Sequence, residues 1–142
     1  MVEGPHVTIS TLVDTNIFID ILGPDTAERQ WSLKSLKQCV IDGDLVTNVV
    51  IWSELAASPL SEEQLTSALS WLDVKREAVP FEAAGKAHRL YRRAGGQRER
   101  ILPDFLVGAH ADWRRHRLLT RDAVRYLSYF PSLDLITPET HP

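Results

Sequence analysis

The stretch Thr8-Ile9-Ser10-Thr11-Leu12-Val13-Asp14-Thr15-Asn16 decides the fold class. Four of its first six residues are β-branched and a fifth is Leu12, so Thr8 to Val13 reads as a strand. Asp14-Thr15-Asn16 then opens a short helix around Ile17 to Leu22, which Gly23-Pro24 stops. A strand that runs straight into a helix is the first half of a βα unit, and the rest of the chain repeats the alternation.

Asp25 is placed to cap a helix whose apolar positions Leu33, Leu36, Val40 and Ile41 recur at helical spacing, ended by Asp42-Gly43-Asp44. Leu45 to Thr47 is the next strand. Asn48 caps a helix from Val49 to Ala57, and Ser61 with Gln64 forms a capping box before a helix through Trp71. Ala78 to Phe81 reads as a brief strand. The helix after it puts Ala84, Ala87, Tyr91 and Ala94 on one side and Lys86, Arg89 and Arg93 on the other, before Gly95-Gly96. Pro103 suits the first turn of a helix to about His116. Leu118 to Thr120 is a strand, Ala123 to Phe130 a helix and Leu133 to Thr137 a last strand. Short strands separated by helices cannot be hairpins. The expected fold is therefore α/β, a three-layer α/β/α sandwich around a central, mostly parallel sheet. No repeat or linker divides it, so residues 1–142 are read as one domain. In such sheets ligands bind beyond the carboxyl ends of the strands.

The chain has 142 residues, 44% of them hydrophobic, enough for one core without a covalent staple. The lone Cys39 cannot form an internal disulfide and reads as a small packing residue. No basic region followed by an apolar run opens the chain, and no stretch approaches the roughly 18 apolar residues of a membrane span. A cytoplasmic protein without a membrane segment is the expectation. The net charge of -3 conceals an asymmetry: Lys86 to Arg125 holds eleven of the sixteen basic residues and four acids, a net of +7, which leaves the remainder at -10. One part of such a surface attracts a polyanion and another repels it.

Four acids sit where solvation alone does not explain them. Asp14 follows the first strand, and Asp122 follows the strand Leu118-Leu119-Thr120. Glu54 and Ser53 are the only polar residues between Val49 and Ala57, so that helix reads as buried nearly all round. Asp104 stands at the start of an apolar helix, with Gly108 one turn on leaving space beside the carboxylate. Each acid is also explicable as a helix cap, a rim residue or an ion-pair partner. Together they are compatible with one edge of one sheet, where four carboxylates repel one another unless a cation offsets them. Oxygen-only ligation suits Mg²⁺ or Mn²⁺, and no Cys/His spacing offers zinc. Asp20 is a weaker candidate. Trp31, Trp52, Trp71 and Trp113 read as helix-packing anchors, although Trp52 and the helix from Ser61 to Leu72 are also placed to serve a dimer or partner surface. His88, His110 and His116 read as neither ligands nor bases.

Leu12-Val13-Asp14-Thr15-Asn16, Glu54, Leu102-Pro103-Asp104, Leu118-Leu119-Thr120-Arg121-Asp122 and Tyr129-Phe130-Pro131, in this order and at these separations, resemble a PIN-domain ribonuclease. Within that group the chain is similar to VapC-type toxins of toxin-antitoxin pairs. The resemblance implies a central parallel sheet and an acidic pocket formed by Asp14, Glu54, Asp104 and Asp122. Family members bind Mg²⁺ or Mn²⁺ there, cut single-stranded or looped RNA, commonly dimerise and are held inactive by a cognate VapB-type antitoxin. Asn16 and Thr120 match polar positions that support the metal-binding carboxylates.

The expected chemistry is metal-assisted phosphodiester hydrolysis, with Asp14 and Asp104 as principal ligands and Glu54 and Asp122 completing the site. Arg98, Arg100 and Arg121 lie nearest in sequence to the acids, and Lys86, Arg89 and Arg93 form a helical stripe. These six are the candidates for RNA phosphate contacts. The rival reading is a catalytically inert binding module of the same fold. A phosphotransferase using Asp14 as nucleophile would want an acid two residues on, where Asn16 stands.

Overall fold

A computed structural model of the chain describes residues 8–95 and 101–142. Five strands, β1 (Ser10–Val13), β2 (Asp44–Thr47), β3 (Val74–Arg76), β4 (Arg117–Leu119) and β5 (Leu135–Ile136), form one sheet in the order β3-β2-β1-β4-β5. Every pairing is parallel, with Leu12 opposite Val46 on one side and Leu118 on the other. Between the strands lie α1 (Thr15–Leu22), α2 (Ala27–Asp42), α3 (Val49–Ala56), α4 (Glu62–Ala68), α5 (Phe81–Ala94), α6 (Leu102–Arg114) and α7 (Val124–Leu127).

Side chains on a strand alternate between faces, and β1 shows what covers each. Thr11 meets Cys39 of α2 on one face and accepts hydrogen bonds from Arg117. Ser10, on the other, meets His116 at the end of α6, against which α5 packs. The sheet is thus enclosed by helices on both faces, and β1 and β4 read as apolar runs because both sides of them are dry. Gly43 lets β2 start close to β1: a Cβ there would lie 1.9 Å from the Ile9 carbonyl oxygen.

Several local expectations are corrected. The third strand is Val74–Arg76, not Ala78 to Phe81. Its single-sided burial and polar Lys75 and Arg76 hid it, and Pro80 instead marks the entry to α5. Thr26 rather than Asp25 caps α2. The buried stripe of α2 is Ser32, Ser35, Leu36 and Cys39, whereas Val40 and Ile41 are exposed. Small residues bring that helix close to α1 and the sheet. In α5 the buried positions are Ala83 and Ala87, with Ala84 and Ala94 half-buried and only Tyr91 of the expected side exposed. α7 is a single turn, and β5 is only two residues long. Trp71 and Trp113 are more than half exposed, whereas Trp31 and Trp52 pack partly buried against the core. No helix among the described residues is long and apolar enough to cross a membrane.

Candidate active site

The sheet order turns back between β1 and β4: the chain moves outward from β1 to β2 and β3, then returns to the other side of β1. The carboxyl ends of the strands at such a reversal are where an α/β sheet is expected to open a ligand crevice. Asp14 leaves β1 there, its N–H donating to the Leu119 carbonyl at 2.9 Å. Thr120-Arg121-Asp122 leaves β4 beside it.

Asp14 is 4% exposed, and both of its oxygens are engaged. Oδ1 accepts from the Thr15 N–H at 2.8 Å, which caps α1. Oδ2 accepts from the hydroxyls of Tyr126 at 2.8 Å and Thr120 at 2.9 Å, with the Asn16 amide at 3.5 Å. Burial raises the Asp14 pKa despite these donors, which act to lower it. Asn16 also donates to Thr120 Oγ1 at 3.1 Å and accepts from the Arg121 N–H at 3.2 Å, so one amide spans the carboxyl ends of β1 and β4.

Glu54 reaches the same edge from α3. That helix is only half buried, not dry all round: Val49 is exposed, and Ile51 and Leu55 face inward. Thr15 donates its hydroxyl to Glu54 Oε1 at 3.1 Å. Partial burial, and then the negative charges of Asp14 and Asp104, push the Glu54 carboxyl up. Asp104 is buried in the first turn of α6, where the free N–H groups of the helix favour a carboxylate. Gly108 does not leave room for an ion beside it. The Phe130 ring fills that space, and a Cβ on Gly108 would lie 2.4 Å from it.

Asp122 joins the group through Arg125, whose Nε lies 2.8 Å from Asp122 Oδ2 and whose Nη1 lies 3.7 Å from Asp104 Oδ1. Burial works against the Arg125 charge, but the carboxylates of Asp104, Asp122 and Asp14 outweigh it and hold the guanidinium ionised. The charges of Asp14 and Asp104 thus act on Glu54, and Arg125 reaches from Asp122 toward Asp104, although among the described residues no three of these four acids bring ligand atoms within 4.8 Å of one another. Sequence reasoning missed Thr15, Arg125 and Tyr126 as parts of this site. The i,i+3 spacing of Arg125 from Asp122 was the available signal.

The candidate phosphate contacts divide. Arg121 is bound by Asp20, its Nη2 lying 2.9 Å from Oδ1 and its Nε also engaged, while Ser32 donates to the same carboxylate. Asp20 thus ties α1 and α2 to the loop after β4. Lys86 pairs with Asp112 at 3.5 Å and lies over the Phe130 ring, far along α6 from Asp104. Arg89 and Arg93 are exposed on α5. Arg98 and Arg100 lie outside the described residues.

A second titratable cluster lies deeper on the α6 face. Glu77, His110 and His116 are, among the described residues, the one group of three His, Cys, Asp or Glu side chains with ligand atoms within 4.8 Å of one another. Sequence reasoning saw no carboxylate partner for these imidazoles; Glu77, just past β3, supplies it. His110 Nε2 and His116 Nε2 lie 2.7 and 2.8 Å from Glu77 Oε1. By donor type the set suits zinc. Hydrogen-bond accounting says otherwise. Asn48 uses its Oδ1 to cap α3 at the Ile51 N–H, so its amide nitrogen, 2.9 Å from His110 Nδ1, is the donor. An imidazole that accepts at Nδ1 carries its proton on Nε2 and donates to Glu77. A cation there would have to displace a proton that the cap holds in place.

A model of the PIN domain family matches residues 11–126. Comparison with curated proteins returns no match in sequence. Among solved structures, the chain is similar to one in a crystal structure of VapBC2 from Rickettsia felis bound to a promoter DNA fragment, with 18% identity and a TM-score of 0.65 over 91% of this chain and 98% of that one. It is also similar to one in a toxin-antitoxin complex from Klebsiella pneumoniae, at 20% identity and 0.66 over 90% and 97%. FitAcB from Neisseria gonorrhoeae gives 19% and 0.63 over 91% and 98%. The matched span begins in β1 and ends at the tyrosine that touches Asp14, and the chain belongs to the PIN domain family.

Proposed function

We propose that the chain is a metal-dependent endoribonuclease, the VapC-type toxin of a toxin-antitoxin pair, acting in the cytoplasm as a homodimer and inhibited by a VapB-type antitoxin. The observation that supports this most directly is the placement of Asp14, Glu54 and Asp104 at one edge of the sheet, where burial first and then the charges of Asp14 and Asp104 raise the Glu54 pKa. Oxygen-only donors in a partly dry pocket fit Mg²⁺ or Mn²⁺. Asp14 would offer Oδ1 and Glu54 would offer Oε2, the oxygens least committed to other donors, with Asp104 and Asp122 as the other carboxylates of the site. A divalent ion bound there supplies charge stabilisation at phosphorus and a more acidic water.

The chain's own groups hold that geometry. Thr15 fixes Glu54, while Thr120, Tyr126 and Asn16 fix Asp14. Arg89 and Arg93 on α5, together with Arg98, Arg100 and Arg121, are proposed to draw the RNA backbone in, with Lys86 marking the far end of the same stripe. The complexes named among the structural neighbours support the antitoxin partner in particular.

The test is cleavage of a structured RNA by the purified chain in Mn²⁺, with and without chelator. The expected result is chelator-sensitive cleavage that Asp104→Asn reduces by more than about 100-fold, since loss of a mere supporting group around a metal already costs about 10 to 100-fold. Cleavage that survives both chelator and Asp104→Asn overturns the reading. A chain that binds Mn²⁺ and leaves every RNA intact is the inert binding module instead.

A further inference from the structure

Arg125 has no role in the account above except to neutralise charge, yet its position is tightly determined. Tyr126 beside it is 1% exposed and donates its hydroxyl to Asp14. That contact pins α7 to the floor of the crevice. The preceding side chain then extends along the rim, with Nε on Asp122 and Nη1 toward Asp104, two carboxylates from different elements. A guanidinium cannot leave such a place by losing its proton.

We propose that Arg125 serves as a built-in monovalent cation on the Asp122 side of the crevice, so that this chain takes one divalent ion, held by Asp14, Glu54 and Asp104. The inference rests on the nuclease reading and specifies how its site is loaded. A second divalent ion between Asp104 and Asp122 would have to sit against, or displace, a fixed positive charge. Asp14 independently points to one ion. Its Oδ2 already accepts two hydroxyl donors, at 2.8 and 2.9 Å, which fill the lone pairs that a carboxylate bridging two ions would need. Asp122 then holds Arg125 and is not a ligand. With 44% of its side chain exposed, Arg125 keeps N–H groups for a non-bridging oxygen of the substrate phosphodiester, a planar donor pair suited to phosphate.

Counting Mn²⁺ bound to the metal-stripped chain, by calorimetry and by the loss of the free-ion electron paramagnetic resonance signal, tests this without any turnover. One ion per chain is expected for the parent and two for Arg125→Ala. Arg125→Lys, which keeps the charge, is expected to remain at one, and Asp122→Ala added to Arg125→Ala to return the count to one. A parent that binds two ions, an Arg125→Ala chain that still binds one, or an Arg125→Lys chain that binds two each overturns the inference while leaving the nuclease reading intact. A parent that binds none overturns both. Urea midpoints near the parent's show that the variants are folded; the Arg125 side chain is 44% exposed, and neither substitution opens a core cavity.

Discussion

The crevice at the ends of β1 and β4 and the cluster around Glu77 are built from similar materials and are electrostatic opposites. In the cluster each hydrogen-bonding atom meets a complement: two imidazole nitrogens on one Glu77 oxygen, Asn48 on His110, Ser10 Oγ 2.5 Å from His116 Nδ1. At the ends of β1 and β4 the charges of Asp14 and Asp104 act on Glu54, and Arg125 pairs with this group from its Asp122 side. Both contain residues that ligate metals in other proteins, and only the crevice leaves negative charge for an ion to offset. Ligand chemistry is decided by which lone pairs and protons remain after the protein's own hydrogen bonds are drawn, more than by residue type.

That contrast is open to attack from the cluster side first. Glu77→Ala leaves two imidazole N–H groups unmatched in a largely dry setting, and the expected cost is about 1–3 kcal/mol in urea unfolding. Mn²⁺ binding is expected to be unchanged. If Glu77→Ala abolishes binding of a divalent ion, the cluster and not the crevice is the metal centre.

From the crevice side, Tyr126→Phe removes one hydroxyl and keeps the ring. Stability is expected to fall by about 1 kcal/mol. Mn²⁺ affinity is expected to fall by about tenfold, the lower end of the range for groups that orient a ligand. An unchanged affinity would mean that Asp14 needs no orienting on that side.

The smallest effect is one of pH. Burial lowers the His110 pKa, so below about pH 6.5 the unfolded chain takes up a proton that the folded chain refuses, and stability falls on acidification. For Glu77, burial raises the carboxyl, but the bonds and charges of His116 and His110 outweigh it and lower the pKa; that contribution is also lost toward acid, below about pH 4.5. The raised Asp14 and Glu54 carboxyls act in the opposite direction. The informative quantity is therefore the difference between the parent and His110→Gln. Between pH 7 and 5 the parent should lose more stability than the variant, and a parent that loses less refutes the buried neutral imidazole.

The parallel α/β architecture was legible because strands β1, β2 and β4 are short apolar runs, each flanked by a capping residue or a helix former. β3 was not legible, since Val74 is its only apolar residue and its other two side chains are exposed. The buried stripe of α2 was missed for a related reason: serines that are 8% exposed or less carry no hydropathy signal, whereas exposed Val40 and Ile41 carry a misleading one. The four acids were singled out by their positions relative to strand ends and apolar helices, which needs no knowledge of contacts. What Tyr126, Thr15 and Arg125 do depends on side-chain reach across elements up to 112 residues apart, and no local pattern encodes that. The Glu77 cluster has the same character, with its members 33 and 39 residues apart.

The hydroxyls that fix Asp14 come from Thr120 and Tyr126, 106 and 112 positions downstream. During synthesis a nascent chain that has emerged only through α5 therefore carries Asp14 and Glu54 but neither Asp104 nor the groups that aim Asp14. The acidic edge of the sheet is therefore assembled only once the segment from α6 to α7 has been made, and an N-terminal fragment ending at α5 would carry two of the four carboxylates without the hydroxyls that hold Asp14.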